Sequence, residues 1–350
     1  MTLPVNDCKM IESGRRFGEL RALALIKTND FLISIYNRSA ESVRMHFTRL
    51  ALSPINYQVR CPFTNLPTKV GDMAKSVSSP KPLTTLPVDH APVCTGHRWQ
   101  IRDEDKLAEL VAHIVLGQYR GAKAILKALD PMHAKVTDGA RIQAIASLTL
   151  PPGTPLDATA RWHRDGLVFQ HISWVAAITE SQGLIAISPP HARPANKGFD
   201  GLYVHLTPTG DAEDMLVICE DKATVNARSV ITSKVWPEIT SIEKGERDAE
   251  LTSELTSLLE QNNVPNFDAV LERGLWAKKK HYRVAITIKP EDDEDEARKS
   301  IFKGYDKVAP HTASARRAST MALDNLRNWM DTFCTKVIGH IKTIGVSASV

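Results

Sequence analysis

The feature that most constrains this chain is the stretch Gly198–Ala223, GFDGLYVHLTPTGDAEDMLVICEDKA. Two β-rich segments, Phe199–Leu206 and Met215–Ala223, flank a turn rich in Pro, Gly and Asp. This is the signature of a hairpin with a loop longer than the tightest turns. Side chains alternate faces along a strand. Asp200, Leu202, Val204 and Leu206 therefore share one face of the first segment, and Leu216, Ile218, Glu220 and Lys222 share one face of the second. Both faces are apolar until they reach Asp200, Glu220 and Lys222.

An unpaired charge on a buried face is costly, so these three residues need a reason. A divalent metal supplies one. Two carboxylates are hard oxygen ligands suited to Mg²⁺, which keeps several waters and takes few protein groups. A lysine beside them can steady a phosphate or an attacking water. The plainer reading of the same residues is an edge strand with a solvated Glu–Lys pair.

An Asp, a hairpin and then Glu-x-Lys resembles the core of the PD-(D/E)xK nuclease superfamily. Asp200 matches the Asp and Glu220-Asp221-Lys222 matches the (D/E)xK, while Phe199 stands where the family has proline. The resemblance covers roughly residues 158–290. It implies an α/β fold with a restriction-endonuclease-like core, a mixed central sheet flanked by helices. It implies Mg²⁺, with Mn²⁺ as a substitute, held by Asp200, Glu220 and the backbone carbonyl of Asp221. Lys222 would orient the water or stabilise developing charge, and Glu180, on the helix before the first strand, would complete the acidic shell. The plainer reading of Glu180 is a helix-terminal carboxylate exposed to water. The implied substrate is nucleic acid, DNA by preference. GFDGL, CEDKA and the helices that follow are also similar to the nuclease subunit of Hachiman-type bacterial anti-phage systems. That likeness implies an antiviral role beside an ATP-driven helicase subunit. A catalytically inactive nuclease-fold protein that binds DNA or a partner is the competing function.

The flanking sequence divides at Leu150-Pro151-Pro152-Gly153-Thr154-Pro155, which cannot continue a helix or a central strand. Residues 1–150 read as a mostly helical accessory region and 151–350 as the nuclease-like domain. Within the first, Glu12–Ile26 reads as helical, Phe31–Tyr36 as a strand, and Ser39 as the cap of a helix through Leu52. The Pro/Ser/Thr-rich run from Ser53 to Val93 reads as loop. Leu107, Leu110, Val111 and Ile114 recur at helical spacing, and Gly117 and Gly121 can split that helix.

Within the second region, Ala158–Ser181 reads as a helix, or two split near Gly166. Leu184–Ile187 reads as a strand, and Ser188–Lys197 as a Pro-rich loop whose His191, Arg193 and Lys197 suit phosphate contacts or plain solvation. His171 reads as structural. A helix runs from Thr224 or Asn226 toward Trp236, interrupted by Pro237. Ala249–Gln261 is amphipathic, Phe267–Leu271 a short helical turn, and Tyr282–Ile288 (YRVAITI) a strand. The acidic run Glu291–Glu296 reads as a solvated loop or a helix start. Ala313–Ile341 reads as one amphipathic helix, with Arg316 and Arg317 at its start either binding phosphate or exposed.

The chain has 350 residues and a net charge of +4, a mildly basic balance that permits nucleic-acid binding without requiring it. No apolar run approaches the ~20 residues of a membrane span, and MTLPVNDCKM lacks the apolar core of a signal peptide. The expectation is a cytoplasmic protein with no membrane partner. Five scattered cysteines argue against a disulfide framework. Cys94-x-x-His97 with His90 and Cys61 can form a zinc site on paper, but free thiols are the simpler reading.

Overall fold

The computed structural model describes residues 81–127, 135–182, 184–194, 198–207, 212–264, 268, 271–272 and 280–345, with the backbone alone of four strands before residue 50 and of 212–214. The chain divides into two compact units, Met1–Lys75 and Ser76–Val350.

The first unit carries a four-stranded sheet, β1 (Cys8–Lys9), β2 (Arg21–Lys27), β3 (Phe31–Ser39) and β4 (Ser42–Arg49), paired antiparallel in that order. The strand at Phe31–Tyr36 is as expected. The helices expected over Glu12–Ile26 and Ser39–Leu52 give way to β2 and β4 where residues are described. β4 is SVRMHFTR, in which Val, Phe and Thr favour the pleated surface.

The second unit is α/β. Its elements are β5 (Leu83–His90), β6 (Cys94–Ile101), α1 (Glu104–Val115), α2 (Tyr119–Leu126), α3 (Asp138–Leu148), α4 (Thr159–Glu180), β7 (Ile185–Ile187), β8 (Gly201–Leu206) and β9 (Ala212–Lys222). After these come α5 (Ala227–Val230), a π turn (Ile231–Val235), α6 (Trp236–Glu243), α7 (Asp248–Gln261), β10 (Lys280–Ile288), α8 (Asp295–Ile301), α9 (Tyr305–Val308), β11 (Arg316–Ala322) and α10 (Leu326–Thr343). Seven strands form one sheet in the order β5-β6-β11-β10-β9-β8-β7. The pairs β6–β11, β11–β10 and β10–β9 are parallel, and the two flanks are antiparallel hairpins. The sheet is therefore mixed.

The division between units falls well before the proline-rich stretch at 150–155. The expected boundary there is corrected: β5, β6 and α1–α3 are built into the second unit's sheet and core. The loop expected through Val93 ends earlier, because β5 pairs with β6 along Leu83–His90. Pro87 is tolerated within it because β5 is an edge strand, where a missing N–H leaves no ladder bond unmade. The expected helix over 313–341 is also two elements, since β11 runs between β10 and β6 before α10 begins.

Each face of the sheet carries its own core. α1, α2, α3, α4 and α10 cover one face, with Phe169, Ile172, Val175, Met330 and Phe333 packed on Val217, Cys219 and Ala285. The segment α5–α7 with α8 and α9 covers the other, with Ile231, Ile239, Leu251, Leu255 and Leu258 on Leu202, Val204, Leu216 and Ile218. α4 runs unbroken through Gly166. Charges buried on it are matched: Arg161 and Arg164 meet Asp331, and Asp165 meets Arg164 and Arg327. The π turn Ile231–Val235 runs directly into α6, widening the helix just where Pro237 supplies no N–H and its ring would crowd the preceding turn. Most of Phe267–Leu271 lies outside the described residues.

Candidate functional site

The hairpin β8–β9 fixes the candidate site. Its register pairs Leu202 with Ile218 and Gly201 with Cys219. One step further, Asp200 comes level with Glu220 at the end of the ladder. The Lys222 ammonium joins them, 2.5 Å from Glu220 Oε1 and 3.2 Å from Asp200 Oδ2. The three side chains keep 13%, 18% and 28% of their surface for Asp200, Glu220 and Lys222, so solvent reaches the cluster. The backbone N–H of Asp221 donates to Asp200 Oδ2 at 2.8 Å, and Gln170 of α4 donates to Asp200 Oδ1. Both carboxylate oxygens of Asp200 are thereby oriented.

The turn that delivers Asp200 is held from α7. Gly198 adopts φ +124, a value suited to glycine, and a Cβ there would meet Glu254 Oε1 at 3.0 Å. Phe199 is buried in the core of that face, with the Arg247 guanidinium 4.0 Å above its ring. An aromatic anchor thus occupies the place where the nuclease pattern has proline.

Two carboxylates and one ammonium set the electrostatics of the cluster. Burial, and next the Asp200 carboxylate, push the Glu220 carboxyl up to about 7. Burial alone would pull the Lys222 ammonium down, but Glu220 and Asp200 outweigh it and hold it above its ordinary value. Two carboxylates sharing one ammonium form a hard oxygen donor pair with room for charge. Asp200 and Glu220, with the Asp221 carbonyl, suit Mg²⁺, which takes few protein groups and keeps its waters. Among the described residues no larger group of His, Cys, Asp or Glu side chains is gathered for a metal.

Asp221 turns the other way. Its side chain lies under α4, accepting from Ser173 Oγ at 2.7 Å and 3.8 Å from the Arg283 guanidinium. Burial is the main cause that raises its carboxyl to about 7.

Glu180 does not join Asp200 and Glu220. It lies ten residues beyond Gln170 on α4, about 15 Å along the axis. There Trp99 Nε1 donates to it at 2.7 Å, His97 Nδ1 lies 3.4 Å away and Arg283 Nη1 3.9 Å away. It is buried and paired rather than a solvated helix end.

The other candidates are placed as follows. His171 is fully buried and its Nε2 contacts the His191 carbonyl at 2.8 Å, with burial lowering its pKa to about 4. That is a structural histidine, as expected. Arg193 is exposed in the 188–194 segment, and Lys197 lies outside the described residues. Cys94 packs in the core on the α5–α9 face, while His97 faces α4, so the two do not share a metal; burial holds the Cys94 thiol up at about 12. Cys61 lies outside the described residues. Arg316 is buried and spent on the carbonyls of Pro92, Val93, Ala309 and His311. In the acidic run, Asp293 is engaged by Arg98 and Arg298.

Sequence reasoning missed Gln170. The signal was present in FQHISWVAAI, where Gln170 and Ser173 interrupt an apolar run three residues apart and so share a helix face. Both turn out to touch the Asp200/Asp221 corner. No known protein family model, curated protein or solved structure gives a match to this chain.

Proposed function

We propose that this chain is a metal-dependent nuclease of PD-(D/E)xK type, hydrolysing phosphodiester bonds of nucleic acid, with DNA as substrate. The observation that carries the reading is the convergence of Asp200, Glu220 and Lys222 at one solvent-reached corner of the sheet. The local topology supports it. A helix (α4), an antiparallel meander (β7, β8, β9), a helical crossover and a strand parallel to β9 follow one another in the order that a restriction-endonuclease-like core requires.

Asp200 and Glu220, with the Asp221 carbonyl, would hold Mg²⁺ or Mn²⁺. A bound divalent ion supplies activation of water and relief of charge on the phosphate. The chain's own residues do the rest. Gln170 and the Asp221 N–H keep Asp200 in one orientation, which a preorganised site needs. Lys222 is held cationic by its two carboxylates, so its N–H groups are available to orient water or to meet developing negative charge. The described residues include no helix long and apolar enough to cross a membrane; a cytoplasmic setting is part of the proposal.

The second reading is a binding module without chemistry. The observation in its favour is that Lys222 already bridges Asp200 and Glu220, so the three charges satisfy one another. Purified chain incubated with labelled duplex and single-stranded DNA in Mg²⁺, Mn²⁺, Ca²⁺ or chelator separates the two. Cleavage in Mg²⁺ and Mn²⁺ that is poor in Ca²⁺ and lost in Glu220→Gln supports the nuclease. Equal cleavage in chelator, or by the folded Glu220→Gln/Lys222→Ala variant, removes it. The likeness to the Hachiman nuclease subunit adds a proposed setting in anti-phage defence beside an ATP-driven helicase. Co-purification from the native host, followed by the same assay with and without the partner, tests that setting.

A further inference from the structure

On the α4 face of the sheet, away from the Asp200 corner, lies a cavity of about 670 Å³ between the β5–β6 hairpin, the end of α4 and the end of β8. That volume is in the range of small-molecule sites, and far more than one inorganic ion needs. Pro87, Val88 and Ala177 give it apolar wall, while His97, Glu180, Tyr203, His205 and Arg317 give it polar groups. The proposed nuclease chemistry uses none of these.

Arg317 is the unusual member. Its Nη1 lies 3.1 Å from Tyr203 Oη and 3.1 Å from His205 Nε2, and its Nη2 lies 3.1 Å from Met215 Sδ. All three acceptors are neutral and the thioether is a weak one. No carboxylate among the described residues pairs with it. Arg161, Arg164, Arg283, Arg298 and Arg327 each have an acidic neighbour within 4 Å, and buried Arg316, which has none, is met by four backbone carbonyls. The imidazoles nearby supply no countercharge. Burial first, and Arg317 itself among the other causes, lower the pKa values of His97, His205 and His281. A half-buried guanidinium facing a cavity with only neutral partners has the charge and the planar donor fork that suit an anion.

Unmet hydrogen bonds border the same space. His97 Nδ1 and Glu180 Oε2 are buried without a hydrogen-bond partner, although His97 and Glu180 both line the cavity. Buried polar atoms are ordinarily satisfied; here the neighbours are ionic, with His97 Nδ1 3.4 Å from Glu180 Oε1 and Glu180 Oε2 3.9 Å from Arg283 Nη1. The carboxylate of Glu180 has its negative charge countered by Arg283, so it is not a repulsive wall. Asp89 also lines the cavity, but it is exposed and its Oδ1 takes the Ala91 N–H.

We propose that this cavity is a second ligand site, distinct from the Asp200–Glu220–Lys222 corner, and that it takes a small organic phosphate of nucleotide size. Arg317, with Tyr203 and His205 beside it, grips the phosphate; the apolar wall receives the organic group; Glu180 accepts from an amino or ring N–H. The assignment does not depend on the nuclease reading, because the two sites share no side chain.

Calorimetric titration of the full chain in chelator tests it, with AMP, orthophosphate and adenosine as separate probes. Chelator keeps a metal-bridged phosphate at the Asp200 corner from contributing. AMP is expected to bind, orthophosphate to bind more weakly, and adenosine not to bind measurably. Arg317→Met should weaken AMP at least tenfold. Arg317→Lys, which keeps the charge and loses the planar fork, should fall between; it guards against a Met variant that fails to fold. Glu180→Gln should weaken AMP while leaving orthophosphate unchanged. Absence of AMP binding at millimolar concentration, adenosine binding as well as AMP, or AMP binding unchanged in folded Arg317→Met would each overturn the proposal.

Discussion

Glu220 and Asp221 are neighbours in sequence and lie on opposite faces of β9. Glu220 contacts Lys222 at 2.5 Å on the α5–α9 face, and Asp221 accepts from Ser173 at 2.7 Å beneath α4. Their substitutions should therefore separate chemistry from stability. Asp221→Asn mimics the neutral carboxyl that burial favours, and should keep cleavage within a few-fold and stability within about 1 kcal/mol. Asp221→Ala leaves Arg283 short of a buried partner and should cost about 3 kcal/mol. Glu220→Gln should do the reverse, with cleavage down about 100-fold or more and a metal-free melting temperature that at pH 8 is no lower than that of the unsubstituted chain, because the amide cannot ionise. Single-turnover cleavage and thermal melts on the three variants decide it. A cleavage-dead, fully stable Asp221→Asn would show that the assignment of faces is wrong.

Lys222 holds two carboxylates together, so its removal should act through charge. Lys222→Ala should lower cleavage by about 100-fold or more while circular dichroism stays native. Lys222→Arg retains charge with a bulkier head and should recover part of the rate. Full activity in Lys222→Ala would remove Lys222 from the mechanism.

Protons and cation should compete at Glu220. Burial and Asp200 raise its carboxyl from 4.5 to about 7. The folded chain thus keeps a proton that the unfolded chain releases near 4.5. This group's contribution to stability is fully present below the unfolded value and is lost as pH rises through about 7. Mg²⁺ takes the ionised form, so it should restore that loss. Cleavage should climb between about pH 6 and pH 8, and the Mg²⁺-induced rise in melting temperature should be larger at the upper end. A rise of equal size at both ends would count against ionisation of Glu220 as the controlling event.

Gln170 reaches Asp200 from α4 without itself bearing charge. Gln170→Ala should leave the fold intact and raise the Mg²⁺ concentration for half-maximal cleavage by 10–100-fold, the range for losing a residue that orients a metal ligand. Saturating Mg²⁺ should recover most of the rate. A lowered rate that no Mg²⁺ concentration restores would place Gln170 in the chemistry rather than in positioning.

Much of the Asp200 corner was legible because it obeys the simplest rule of strands. The alternation of LYVHL and LVICEDK assigned faces correctly, and Leu202, Val204, Leu216 and Ile218 are all buried on the face expected. α7 was legible from Leu251, Leu255, Leu258 and Leu259, all buried. β5 was not, because Pro87 and Thr-rich LTTLPVDH read as loop unless the strand is known to be an edge. β11 was not, because RRASTMA has no alternation to read; strands buried on both faces lack it. The surroundings of Glu180 are not legible in the sequence, because helix position is a one-dimensional clue, while membership of a site depends on which end of the helix the sheet brings near. The cavity around Arg317 was invisible for the same reason. Its walls come from Pro87, His97, Ala177, His205 and Arg317, which no local pattern connects.

The parallel pairing of β6 with β11 sets an order of events for the growing chain. Thr95 pairs with Arg317 and Trp99 with Met321, and Gly96 lies so close to Ala318 that a Cβ would come within 1.8 Å of its carbonyl oxygen. The β5–β6 hairpin is synthesised long before the strand that receives it, with α1–α9 and β7–β10 made in between. Until then one edge of β6 is open, and an open edge is a template for pairing with another chain. Synthesis that stops short of residue 316 would release such a hairpin without its receptor strand, and long-range pairings of this kind are slow to form even in the finished chain. The same strand carries Arg317, so a product that ends before it would lack the guanidinium of the proposed phosphate site.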